Sequence, residues 1–268
     1  MKKLIVNADD FGYSEDVNQG IIESHVNGIV TSASMIVNMP GFKSAVKLAK
    51  KNRDLDIGIH LNLTEGAPLL NSHLAVKGQF SGSYKDFLLH KFPEDEIEAE
   101  LEAQLSKLEE TGLKISHVDG HQHIHLFPEV FSIVIKLTKK HKIKFIRVPD
   151  EKLALDKVFL GSIFNGQLAK KVVLSLFSIN KRKVLSKNGL KCTDNFYGVL
   201  SANQLTFTKA ASILKKVKEG TSELICHPRN ENYDNYLNRK REKNILTHTN
   251  IKDLLKQLNI KLINFKSL

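Results

Sequence analysis

The sequence predicts a parallel α/β fold, a distorted (β/α) barrel of about seven strands. Three observations carry this reading. Short apolar runs alternate with amphipathic segments almost from end to end. The helical patterns between the runs span about ten residues or more, the length a crossover between parallel strands needs. No shift in composition divides the 268 residues, and this many units in one undivided chain favour a closed sheet over an open one. Residues 1–268 are therefore read as one barrel domain, with a helical insertion or lid at about 153–196.

Lys3–Val6 reads as the first strand, followed by a polar corner at Asp9–Tyr13. Ser14 can cap a helix that carries Glu15 and Asp16 in its first turn and closes at Gly28. Thr31–Val37 is a second strand. Pro40 suits the start of a second helix, in which Phe42, Ala45, Val46 and Ala49 recur at helical spacing. Asp56–Leu63 is a third strand, and a glycine-rich connection runs from Gly66 to Tyr84. Ile97, Leu101, Leu105 and Leu108 stripe a long acidic helix ending at Gly112. Ile115–Asp119 is a fourth strand, Pro128 introduces a helix over Glu129–Lys140, and Lys144–Val148 is a fifth strand. Leu153–Phe196 has helical apolar spacing and no clear strand. A helix over Ser201–Glu219, a strand at Glu223–Cys226, a helix over Ile251–Leu258 and a strand at Lys261–Phe265 complete the chain.

Hydrophobic residues make up 41% and charged residues 26%, which excludes a wholly disordered chain. Only Cys192 and Cys226 are present, so neither a disulfide scaffold nor a multi-cysteine metal site is available. The formal charge of +11 comes from lysines and arginines spread over helical patterns, without aromatic interleaving or a nucleic-acid-reading motif. Those charges read as solvated helix faces, and no nucleic-acid partner is expected. The apolar run after Lys2-Lys3 stops at Asn7, far short of a secretory core, and no stretch approaches the roughly 20 apolar residues of a membrane span. A cytoplasmic protein without a membrane partner is the expectation.

In parallel α/β folds functional groups gather where strands end. The first strand leads into Asn7-Ala8-Asp9-Asp10-Phe11-Gly12. Two adjacent carboxylates after an apolar strand need a cation or a proton nearby. Adjacent residues also point in different directions, so one can bind a metal while the other faces substrate. On the third strand Gly58, His60, Asn62 and Thr64 share one face. On the fourth, His117, Asp119, His121, His123 and His125 lie on one face while the chain stays extended, and Gly120 is placed to bend it. Four of the chain's 11 histidines thus fall within nine residues at a strand end, which points to a metal site of imidazole and carboxylate. His227 closes the strand at Ile225-Cys226-His227-Pro228, beside strand one in a closed barrel. Asp10, His60 and one histidine of the fourth strand would leave coordination positions open for water and substrate. Asp9 is then placed to take a proton from water, and His227 to give one to a leaving group.

At these residues the sequence resembles the carbohydrate deacetylases of the YdjC family, whose members include chitooligosaccharide deacetylases. The resemblance rests on Asn7-Ala8-Asp9-Asp10-Phe11-Gly12, Gly28-Ile29-Val30-Thr31-Ser32, Gly58-Ile59-His60-Leu61, His117 to His125 with Phe127-Pro128, Arg147-Val148-Pro149 and Cys226-His227-Pro228. It implies a distorted (β/α) barrel of the deacetylase type, usually a homodimer. It also implies one divalent metal ion, Mg²⁺ or Zn²⁺, used to remove acetyl from N-acetylated sugars. Carried onto this chain, the metal ligands would be Asp10, His60 and His121, with Asp9 the base and His227 the proton donor to the amine. The spacing H-x-x-x-H joins His121 both to His117 and to His125, and His121 is taken because it belongs to both pairs. Arg147 would hold a sugar or orient Asp9, with His125 and Asn62 also assigned to substrate. Two other readings stand beside this one: a metal-dependent phosphoesterase, and a non-catalytic barrel that binds carbohydrate or nucleic acid.

Overall fold

The structure is a computed structural model describing residues 1–81, 92–151, 167–202, 204–231 and 238–268. Among the described residues eight parallel strands form its sheet: β1 (Lys2–Phe11), β2 (Ser32–Met35), β3 (Asp56–Leu61), β4 (Ile115–Gly120), β5 (Phe145–Ile146), β6 (Asn195–Tyr197), β7 (Gly220–Cys226) and β8 (Ile260–Leu262). Seven of them lie in the order β5-β4-β3-β2-β1-β7-β6, with β8 paired to β1. The helices are α1 (Glu15–Val26), α2 (Phe42–Lys51), α3 (Glu94–Glu109), α4 (Pro128–Lys140), α5 (Gln167–Ser178), α6 (Lys181–Lys187), α7 (Phe207–Lys216), α8 (Arg239–Thr247) and α9 (Thr249–Gln257).

β1 is the axis of the sheet. Along one edge it pairs with β7 from Lys2 to Ala8, while its other edge is shared by β8 at Lys2–Leu4 and β2 at Asn7–Phe11. At the open side, Phe145 of β5 forms a lone parallel bridge with Lys191, and Asp194 N donates to Thr221 O of β7 at 2.8 Å. The segment from Lys191 to β6 thus spans the gap between the end strands and curls the sheet into a half-barrel. Leu4, Val6 and Ala8 of β1 are fully buried, as are Ile59 of β3 and Val118 of β4. This full burial of parallel strands is why they read as unbroken apolar runs.

Local chemistry sets the helix starts. Ser14 Oγ accepts from Val17 N at 3.3 Å, and Thr206 Oγ1 accepts from Lys209 N at 3.2 Å. The cap at Thr206 is why α7 begins six residues later than the helix expected from Ser201. Pro128 occupies the first turn of α4, where its missing N–H costs nothing.

Further expectations need correction. The first strand continues through Asp9 and Asp10 to Phe11, because Phe11 pairs with Met35 and is fully buried. The span 153–196 is not free of strand, since β6 begins at Asn195 and pairs with β7. The first part of that expected insertion, residues 153–166, lies outside the described residues, and α5 and α6 follow it. The last strand ends at Leu262, after which Phe265–Ser267 form a short 3₁₀ turn. No helix among the described residues is long and apolar enough to cross a membrane.

Candidate metal centre

Two irregularities in the sheet shape the site. Between Ala8 and Phe11 three steps along β1 match two along β2, from Ala33 to Met35. The additional residue lets the backbone at Asp10 turn to φ 70° and aims Asp9 and Asp10 differently. On β4 the sheet ends at Gly120, and Gln122 and His123 then take φ values of 52° and 63°. This reversal swings His121 back over the strand ends, leaves His123 on the wall of the same cavity and turns His125 inward against Arg147 O.

Asp10, His60 and His121 converge. His121 Nδ1 lies 3.1 Å from Asp10 Oδ1 and 3.4 Å from His60 Nε2, and His60 Nε2 lies 3.5 Å from Asp10 Oδ1. A cation bound at about 2.1 Å by nitrogen and oxygen holds neighbouring ligand atoms roughly 3.0–3.4 Å apart. The triangle therefore has the size a divalent ion requires, and its donor set of two imidazoles and a carboxylate suits one. Each imidazole turns its other nitrogen to an acid: His60 Nδ1 to Asp119 Oδ1 at 2.7 Å, and His121 Nε2 to Glu65 Oε2 at 3.0 Å. Such pairs fix the tautomer and the ring orientation.

The charges are strongly coupled. Burial alone would raise the Asp10 carboxyl, but the His121 hydrogen bond and the nearby Arg239 hold it well below the usual range. Arg239 Nη1 lies 3.0 Å from Asp10 Oδ2. Burial also opposes protonation of His121, yet its bonds to Asp10 and Glu65 outweigh that and raise it to about 9.

Asp9 faces the same cavity of about 220 Å³, which Asp10, His60, Glu65, His121 and His227 also line. Its Oδ2 lies 3.9 Å from His227 Nε2. Arg147 grips Asp9 through Nη1 and Nη2 at 2.8 Å each, and Asn7 Nδ2 donates to Asp9 Oδ1 at 2.8 Å. The same guanidinium reaches Asp119 Oδ2 at 2.6 Å and Glu223 Oε1 at 2.7 Å. Asp9, His60 and Asp119 also cluster tightly enough to suggest a second metal position. Arg147 already supplies a positive charge between Asp9 and Asp119, which offsets part of that cluster's negative charge.

Of the three sugar-contact candidates, none reaches the cavity. The Arg147 side chain is fully buried among three carboxylates, which leaves only the orienting of Asp9 among the roles expected for it. Asn62 is turned into the loop after β3, where its Nδ2 donates to Asn38 Oδ1 and to Glu65 O. His125 is buried with Nε2 against Arg147 O at 3.1 Å, and burial depresses it to about 4. His117 is a barrel-interior residue, stacked on Phe265 at 3.9 Å and held by Ser34 and Ser116. Glu65, Arg239 and Glu223 did not stand out in the sequence. Glu223 carried a signal, as the one charge in the run Glu223–Cys226. Arg239 was masked by the basic cluster Arg239–Lys243.

Fold and site define a parallel α/β half-barrel protein with a histidine–carboxylate cluster, able to hold a metal ion, at the C-terminal ends of its strands. The chain belongs to the YdjC-like protein family, whose profile matches residues 3–257. A carbohydrate deacetylase of Thermoanaerobacter pseudethanolicus is 30% identical over 279 aligned positions that span the whole of both chains. A carbohydrate deacetylase of Brevibacillus brevis is 47% identical over 150 residues, 55% of this chain and 59% of that one. The chain likewise spans 61% of the carbohydrate deacetylase of Halalkalibacterium halodurans, so these two likenesses are partial. A solved structure from Enterococcus faecalis V583, provisionally described as a cellobiose-phosphate cleavage protein, superposes with a TM-score of 0.78. It is 26% identical, with 99% of this chain and 98% of that one covered.

Proposed function

We propose that this chain is a divalent-metal-dependent hydrolase that removes the acetyl group from N-acetylated sugars or oligosaccharides. The family and its relatives named carbohydrate deacetylase support this reading. One observation carries the finer reading: the ligand-sized triangle of Asp10, His60 and His121 shares a cavity with Asp9 and His227, themselves 3.9 Å apart.

Asp10, His60 and His121 would hold a divalent cation, which would supply Lewis acidity to polarise an amide carbonyl and make water more acidic. Asp9, fixed by Arg147 and Asn7, accepts the proton of the attacking water. His227 gives a proton to the departing amine, which would otherwise leave as an unstable anion. Its backbone N–H donates to Glu242 Oε1 at 3.1 Å, which anchors the turn carrying the ring.

The phosphoesterase alternative commonly employs two metals about 3.5–4 Å apart. Here the neighbouring cluster of Asp9, His60 and Asp119 is already served by Arg147, which favours a one-metal site.

The test is acetate release from a panel of N-acetylated sugars by metal-loaded protein. Asp9→Asn and His227→Ala should retain metal and lose about 10²–10⁴-fold in turnover. Near-native acetate release by either variant would remove the assigned role, and release of phosphate from a phosphate ester instead would replace the reading.

A further inference from the structure

We propose that Glu65 is a positioning residue that commits His121 to present Nδ1 to the metal, and that the loop after β3 is built to hold it there. The inference rests on the reading that Asp10, His60 and His121 bind the ion.

The two imidazoles face the common point with opposite nitrogens, His60 with Nε2 and His121 with Nδ1. A neutral imidazole carries its proton on only one nitrogen. His121 can therefore offer a lone pair at Nδ1 only while its proton sits on Nε2. Glu65 Oε2 is the acceptor for that proton, 3.0 Å away. Asp119 does the mirror task for His60 from within the barrel. Asp119 stands on a rigid strand, whereas Glu65 stands on a loop and must be held by other means.

The loop supplies them. Asn62 Oδ1 accepts from Thr64 N at 3.0 Å and Glu65 N at 3.1 Å, while its Nδ2 donates to Glu65 O at 2.6 Å. Asn38 Nδ2, from the loop after β2, also donates to Glu65 O at 3.1 Å. Tyr13 Oη, from the loop after β1, donates to Glu65 Oε1, leaving Oε2 for His121. Segments following three successive strands thus converge on one residue, two fixing its backbone and one its carboxylate. Asn62, expected from sequence to touch substrate, instead fixes the backbone of Glu65.

The test measures zinc affinity by competition with a chelator at fixed pH, with ¹⁵N NMR of the His121 ring in the zinc-loaded protein. Wild type should show Nε2 protonated. Glu65→Ala should bind zinc about 10–100-fold more weakly, with the His121 ring no longer confined to Nδ1 coordination in the zinc-loaded spectrum. Glu65→Gln, whose amide oxygen still accepts from Nε2–H, should restore the tautomer and most of the affinity. If Glu65→Ala does not fold, Tyr13→Phe carries the test, weakening zinc about two- to tenfold while Asp10→Ala abolishes binding. Zinc affinity within twofold of wild type in Glu65→Ala, with the same coordination, would overturn the inference, as would full affinity in Tyr13→Phe. Undiminished zinc binding by Asp10→Ala would instead overturn the metal site itself.

Discussion

The Arg147 guanidinium holds the Asp9 carboxylate in a two-pronged contact, both nitrogen–oxygen distances being 2.8 Å. The bond sets the plane of the acid that faces the cavity, and the same guanidinium is shared by Asp9, Asp119 and Glu223. Removing one partner of such a buried cluster leaves charges unpaired, at a cost of about 3–5 kcal/mol. Arg147→Met should lower unfolding stability by that order in urea denaturation. A loss below about 1 kcal/mol would show that the carboxylates do not depend on this cation.

Metal uptake should release a proton. Hydrogen bonds to Asp10 and Glu65 raise His121 to about 9 against the effect of burial, so the metal-free ring is cationic at neutral pH. A ligand nitrogen must first lose its proton. Affinity should therefore climb as pH rises toward 9 and level off above it. In metal-free protein the sign is reversed. A raised histidine contributes stability that is complete below the ordinary value of about 6.5 and lost as pH rises through about 9. Calorimetry in buffers of different ionisation enthalpy would count the released proton, and uptake without proton release at pH 7 contradicts the assignment.

Glu223 offers a separate pH test. Burial pushes its carboxyl up to about 7, and Oε2 has no hydrogen-bond partner among the described residues. A raised acid holds a proton in the folded state that the unfolded chain has lost. Stability therefore declines from about pH 4.3 upward, and the penalty is complete above about 7. Glu223→Gln carries no such penalty, so its melting temperature relative to wild type should rise between pH 5 and pH 8. A constant difference across that range would mean that Glu223 is ionised throughout.

Gly58→Ala should destabilise the barrel by about 1–3 kcal/mol, through overpacking. A Cβ at residue 58 would stand 2.3 Å from His117 Cε1. The ring has no retreat, since Phe265 is stacked on its other side at 3.9 Å. Thermal melting of the variant checks this, and an unchanged midpoint would show that the ring can move.

What the sequence disclosed was what period and composition can encode. Alternation on β3 and β4 was enough to put His60 and Asp119 inside the barrel, and the adjacent acids after Val6 pointed to Asp9 and Asp10. Alternation also grouped His117, His123 and His125 with them while the chain stays extended, with Gly120 marking the bend. The turn comes just beyond it, where Gln122 and His123 enter left-handed backbone conformations; His121 stays at the triangle, His123 lines the cavity outside it and His125 is buried against Arg147 O. Glu65 and Arg239 reach the site from loops and from the start of α8, elements without a period to read. Asn62 looked like a polar strand face because β3 was expected to continue to Leu63. It ends at Leu61, and the asparagine braces a loop instead.

The backbone at Asp10, with φ 70°, and at Gln122 and His123 beside it has a consequence for anyone redesigning this protein. Each non-glycine residue in that region costs on the order of 1–3 kcal/mol, tension that the rest of the fold must sustain. A search for heat-tolerant variants would be drawn to glycine at these positions, and at residue 10 the sturdier molecule would give up the carboxylate of the triangle. There, robustness and the proposed metal site compete for one torsion angle.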